Sequence, residues 1–128
     1  MITKHFKDSE FHCNCGCCEF SKDSKINLEL LAVLELVRFY VKSKNPKSYL
    51  KITSGRRCEA YNKKVGGSTK SQHKQGTAAD IQPAFCSSDD LAEIYRFLCK
   101  TFPSCYGFGL YSNFIHIDVR KEKARWQG

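Results

Sequence analysis

No stretch of this chain is apolar for long enough to cross a bilayer, and its first residues lack the apolar core of a secretory leader. The longest apolar-rich segment, residues 26–41, is broken by Glu29, Glu35 and Arg38. Synthesis in a cytoplasm is therefore expected, and membrane insertion is not. Work outside the cell would need another exit, such as lysis or carriage in a virion. Acidic side chains are also scarce: 13 Asp and Glu face 21 Lys and Arg, a formal net charge of +8. Such a surface draws polyanions, either nucleic acid or an anionic cell wall, through long-range attraction. The lysines are scattered, which is equally the pattern of a plainly solvated surface, so charge alone does not choose. Repeats, low-complexity tracts and linkers are missing too. With 128 residues, the chain is expected to form one domain over 1–128 around a single core.

Cysteine, by contrast, is plentiful: there are eight. Cys13, Cys15, Cys17 and Cys18 lie together, whereas Cys58, Cys86, Cys99 and Cys105 are spread out. Without a leader, reduced thiols are the default. The cluster is either a second metal site, with His12 as a further donor, or a structural turn with free or oxidised thiols. Its spacing differs from the usual pair of Cys-x-x-Cys knuckles.

Residues 1–25 read as irregular, anchored by Phe6, Phe11 and Phe20. From Asn27, a candidate N-cap, Leu28, Leu31, Leu34, Val37 and Val41 recur at helical steps. Pro46 ends that helix. Residues 49–53 alternate as a strand, 58–65 form a short helix closed by Gly66-Gly67, and 68–77 form a loop. Residues 78–82 read as a strand stopped by Pro83. Ser87 or Ser88 caps a helix with Asp89 and Asp90 in its first turn and Leu91, Ile94, Tyr95 and Leu98 inward. Residues 106–111 and 114–119 read as an antiparallel hairpin. Two longer helices, one short helix and about four strands make an α+β domain, a small antiparallel sheet packed against helices.

The chemistry concentrates in Ser71-Gln-His73-Lys-Gln-Gly76-Thr-Ala78-Ala-Asp80 and Phe114-Ile-His116-Ile-Asp118. Two imidazoles and a carboxylate can hold zinc with an open fourth position, the arrangement of a catalytic site. On a strand, His116 and Asp118 share a face with Phe114, while Ile115, Ile117 and Val119 fill the other. Gly76 lets the chain turn so that His73 and Asp80 converge. His5 and His12 read as ordinary surface or core histidines. Trp126 reads either as packing the C-terminus onto the core or as stacking on substrate.

These motifs, with Ser54-Gly55-Arg56-Arg57 and Phe114-Ile-His116-Ile-Asp118-Val-Arg120, resemble the zinc D-Ala-D-Ala carboxypeptidase family. That family includes phage L-alanyl-D-glutamate endolysins and shares a fold with the hedgehog signalling domain. The run from Phe11 to Cys18 and the closing Ala124-Arg125-Trp126 resemble its small single-domain branch. The resemblance implies zinc on His73, Asp80 and His116. It implies that Arg57 holds a substrate carbonyl or carboxylate and stabilises the oxyanion, and that Ser71 orients a ligand or the loop, or else caps a turn. Many members carry an acid three residues before the last zinc histidine, where this chain has Asn113. Asp118 is then expected to act as general base, the alternative being that it orients His116; Glu59 is a third candidate.

The resulting expectation is a zinc metallopeptidase that cuts peptidoglycan peptides, acts as a monomer and has no nucleic-acid partner. The nucleic-acid reading lacks a basic helix or an exposed aromatic platform. The competing reading is a zinc-containing cell-wall or protein-binding module without turnover.

Overall fold

The computed structural model describes residues 3–128; Met1 and Ile2, part of the N-terminus read for a leader, lie outside the described residues. Helix α1 spans Leu28–Lys44, α2 spans Glu59–Lys64 and α3 spans Ser88–Thr101. The strands are β1 (Leu50–Ser54), β2 (Ala78–Pro83), β3 (Gly107–Leu110), β4 (Ile115–Asp118) and β5 (Ala124–Gln127). They form one sheet in the order β1-β2-β4-β3-β5, antiparallel except for the parallel β3–β5 pair. The domain is α+β as the patterning implies, with one strand more than expected. None of its described helices is long and apolar enough to cross a membrane.

Local signals account for the helices. The Asn27 side chain accepts from the Leu30 amide at 3.1 Å and so caps α1. Leu31, Leu34, Val37 and Val41 are buried, joined by Leu30 and Val33. Leu28, expected on that face, is 70% exposed as the first residue of the helix. At α3, Ser87 rather than Ser88 is the cap, and Ser87 and Asp90 bond reciprocally. Ser87→Ala is expected to cost about 1 kcal/mol. The check is a lowered urea midpoint with an unchanged slope.

Alternation in β2 and β4 sorts the chemistry. Ala79, Ile81, Ile115 and Ile117 are buried in one core cluster with α1 and α3. Asp80, His116 and Asp118 face the other way, as period two requires. Helices α1 and α3 thus cover one face of the sheet and leave the polar face of its central strands to build a site. Phe6 and Phe11 of the N-terminal segment are buried as anchors; Phe20 is only half-buried, with the Arg56 guanidinium 3.7 Å above its ring.

Candidate metal centre

The register sets Asp80 of β2 directly opposite His116 of β4. Ahead of β2, a 3-10 turn at Gln72–Gln75 carries His73, which is buried. Gly76 closes that turn in the left-handed conformation (φ 72°), steering the chain back into β2 beside its own histidine. Ser71 is the cap of the turn, accepting from the His73 amide at 3.2 Å.

Asp80 Oδ1 lies 3.3 Å from His73 Nε2 and 2.9 Å from His116 Nδ1. Donors about 2.0–2.1 Å from a tetrahedral zinc stand about 3.3 Å apart, so the spacing fits. The tautomers fit as well. His73 Nδ1 faces the Gly55 carbonyl at 2.8 Å, and His116 Nε2 faces Asp118 Oδ2 at 2.8 Å. Both partners accept, so those nitrogens carry the protons. A neutral ring in this tautomer aims its lone pair at the Asp80 carboxylate, which suits a cation between the three; a protonated ring donates to that carboxylate instead.

Burial pushes the Asp80 carboxyl up, but hydrogen bonds from His116 and His73 and their charge hold it well below the carboxylate range. Burial likewise opposes ionisation of Asp118, and His116 and Arg120 overcome it. For His116, burial lowers the pKa, and the carboxylates of Asp118 and Asp80 more than reverse this.

The expectation that Asp118 is the general base is corrected by its surroundings. It is fully buried beneath the sheet face. It accepts from Arg120 Nε at 2.8 Å and NH2 at 2.6 Å, and Oδ2 also holds His116. No free edge of this carboxylate reaches the open side of the site. Glu59 is displaced too: its side chain is 85% exposed and paired with Lys74, outside the groove. Asn113 lines a separate depression beside Tyr49 and Gln82.

A groove of about 400 Å3 opens over the donors, lined also by Arg57, Ser71, Tyr111, Phe114, Arg120 and Trp126. Arg57 NH2 lies 3.8 Å from Asp80 Oδ2; its Nε bonds Ser54 and its NH1 bonds Asn62 Oδ1 at 3.1 Å. Trp126 reaches the groove because β5 pairs with β3; its ring centroid is 5.1 Å from that of His116, and its indole donates to Tyr111 OH at 2.9 Å.

The reading from sequence missed Asn62, Arg120, Tyr111 and the Gly55 carbonyl. Period two would have found Arg120, which follows Asp118 by two residues. No local signal marks Asn62, a polar residue buried on a six-residue helix.

Of the cysteines, Cys17 is exposed and stands outside the sulfur cluster. Cys58 takes its place, in a group with Cys13, Cys15 and Cys18. The expected quartet is corrected accordingly. His5 pairs with Glu35 and His12 with Asp8, so His12 is no donor to this group.

A histidine–aspartate–histidine set at the centre of a sheet, with an arginine beside it and an open groove above, is a group that could hold a metal ion within reach of a bound molecule. The sequence profile of the family Peptidase M15 matches residues 4–118, and the chain belongs to that family of zinc peptidases. Comparison with curated proteins and with solved structures returned no match.

Proposed function

We propose that this peptidase hydrolyses peptide bonds of bacterial peptidoglycan, as a carboxypeptidase or an endopeptidase. The observation that carries the reading is the groove. It joins three convergent donors to a wall bearing Arg57, Lys70 and Arg120. Cell-wall stem peptides are rich in carboxylates, and cationic walls suit them. The net charge of +8 favours approach to the anionic wall. We place its action at the wall after phage-type release or as a virion component, with a monomer as the working form.

His73, Asp80 and His116 would hold the zinc, which when bound polarises a carbonyl and makes hydroxide available near neutral pH. Arg57, held by Ser54 and Asn62, presents its guanidinium to the substrate carbonyl or terminal carboxylate. Ser71 fixes the turn that carries His73. Asp118, backed by Arg120, keeps His116 in the tautomer whose Nδ1 faces Asp80. Tyr111, Phe114 and Trp126 grip the peptide.

Arg57→Ala is expected to lower kcat about 100-fold with metal content unchanged, and Arg57→Lys to restore little, because ammonium lacks the planar fork. Steady-state kinetics with metal analysis is the check; an unchanged kcat removes this role.

One observation favours a second reading: among the described residues lining the groove, Asp80 is the only carboxylate. A zinc-containing module that grips wall peptides without cutting them would need no other. Digestion of purified peptidoglycan, followed by mass analysis of the fragments with and without chelator, separates the two. Chelator-sensitive new termini support the peptidase and identify the scissile bond: a terminal D-Ala-D-Ala, a cross-link or L-Ala-D-Glu. Chelator-sensitive retention without new termini supports the module.

A further inference from the structure

We propose that Cys13, Cys15, Cys18 and Cys58 form a second zinc centre, structural in role, that ties the N-terminal segment to the loop carrying Arg57. The four sulfurs lie within 4.8 Å of one another. Sulfurs about 2.3 Å from a shared tetrahedral zinc stand about 3.8 Å apart. Cys15 and Cys58 are at 3.9 Å although 43 residues separate them in sequence. A full tetrahedral set of thiols needs no outside ligand, the pattern of a closed structural site.

The backbone supports sulfur as an acceptor. The Cys17 amide donates to Cys15 Sγ, the Cys58 amide to Cys13 Sγ and the Tyr61 amide to Cys58 Sγ, each at 3.4 Å. Amides turned toward sulfur stabilise thiolate, the form that binds metal. Cys15-Gly16-Cys17-Cys18 thereby makes a Cys-x-x-Cys knuckle, with Gly16 in the left-handed conformation (φ 75°) that lets the turn close. Arg56, adjacent to the cluster and above the Phe20 ring, offsets part of its negative charge.

The centre would have a definite mechanical effect. Cys58 directly follows Arg57, and Gly55, whose carbonyl holds His73, packs against Phe11 so closely that a Cβ would lie 2.6 Å from Phe11 Cα. The Arg56 amide donates to the Phe11 carbonyl at 2.9 Å. One ion would clamp both edges of this contact. Binding would release the thiol protons, so chelation and acid both oppose it.

The test uses the full chain, purified with reductant, exposed to zinc and then freed of excess. Elemental analysis is expected to give two zinc ions per chain in the wild type, one in the His73→Ala/His116→Ala double variant and one in Cys58→Ser. Cys17→Ser should keep both. Cobalt loaded into the histidine double variant should show intense sulfur-to-metal charge-transfer absorption. Cys13, Cys15, Cys18 and Cys58 should resist alkylation until chelator is added, while Cys17 reacts at once. Should Cys58→Ser fail to fold, the cobalt spectrum and the alkylation pattern of the histidine variant decide. A single zinc in the wild type that disappears with the two histidines would overturn the proposal. So would an intact mass lowered by disulfide formation among these four with no second ion. None of these readouts involves hydrolysis, so failure here is distinct from failure of the peptidase reading.

Discussion

Replacing His116 with alanine is expected to lower kcat/KM for peptide cleavage at least about 1,000-fold. The variant loses one of three donors around a Lewis acid whose contribution to the transition state is several kcal/mol. About 4 kcal/mol corresponds to three decades in rate. The fold should survive, because the core face of β4 is made by Ile115 and Ile117 rather than by the histidine. His73→Ala should match it, since both rings meet the same Asp80 oxygen. The measurement pairs kinetics on wall fragments with zinc content and circular dichroism. Full activity in a variant that no longer retains zinc at this site would sink the metallopeptidase reading.

Asp118→Ala is expected to damage stability and metal retention together. The variant leaves Arg120 and the inner nitrogen of His116 without their acceptor beneath the sheet face. Removing one partner of a buried pair costs about 3–5 kcal/mol, and the lower end applies because Arg120 is 34% exposed and can rehydrate. Zinc affinity should fall about 10- to 100-fold as His116 loses its orienting partner. Asp118→Asn should lose less stability, since an amide oxygen still accepts. The acid dependence carries a sign. Asp118's carboxyl is held below its ordinary value in the folded state. Its contribution is therefore fully present above the unfolded pKa and is lost as the pH falls toward the depressed one. Urea titrations of wild type and Asp118→Asn across the acid range should converge as the pH drops. Parallel curves would remove Asp118 from the linkage.

The sequence made some parts of this molecule legible because their causes are local. Asn27 and Ser87 cap helices through residues three positions on, and Ile115 and Ile117 alternate with His116 and Asp118 within one strand. The meeting of His73, Asp80 and His116 was legible only through the family's motif, since spacing alone does not bring β2 beside β4. Other features depend on partners far along the chain. β5 is a four-residue segment preceded by Lys121, Glu122 and Lys123, and it becomes a strand because β3 offers a parallel edge. Cys58 looked isolated until folding carried it to Cys15. The burial of Asp118 followed from a rule at hand, namely that an arginine two residues on shares its face.

The strand order has a last consequence. The proposed donors on the sheet, Asp80 and His116, sit on β2 and β4, whereas Trp126 stands on β5, two places beyond β4 at the border. In the proposed peptidase, a different side chain in place of Trp126 would reshape the wall of the groove while leaving the register of Asp80 opposite His116 intact.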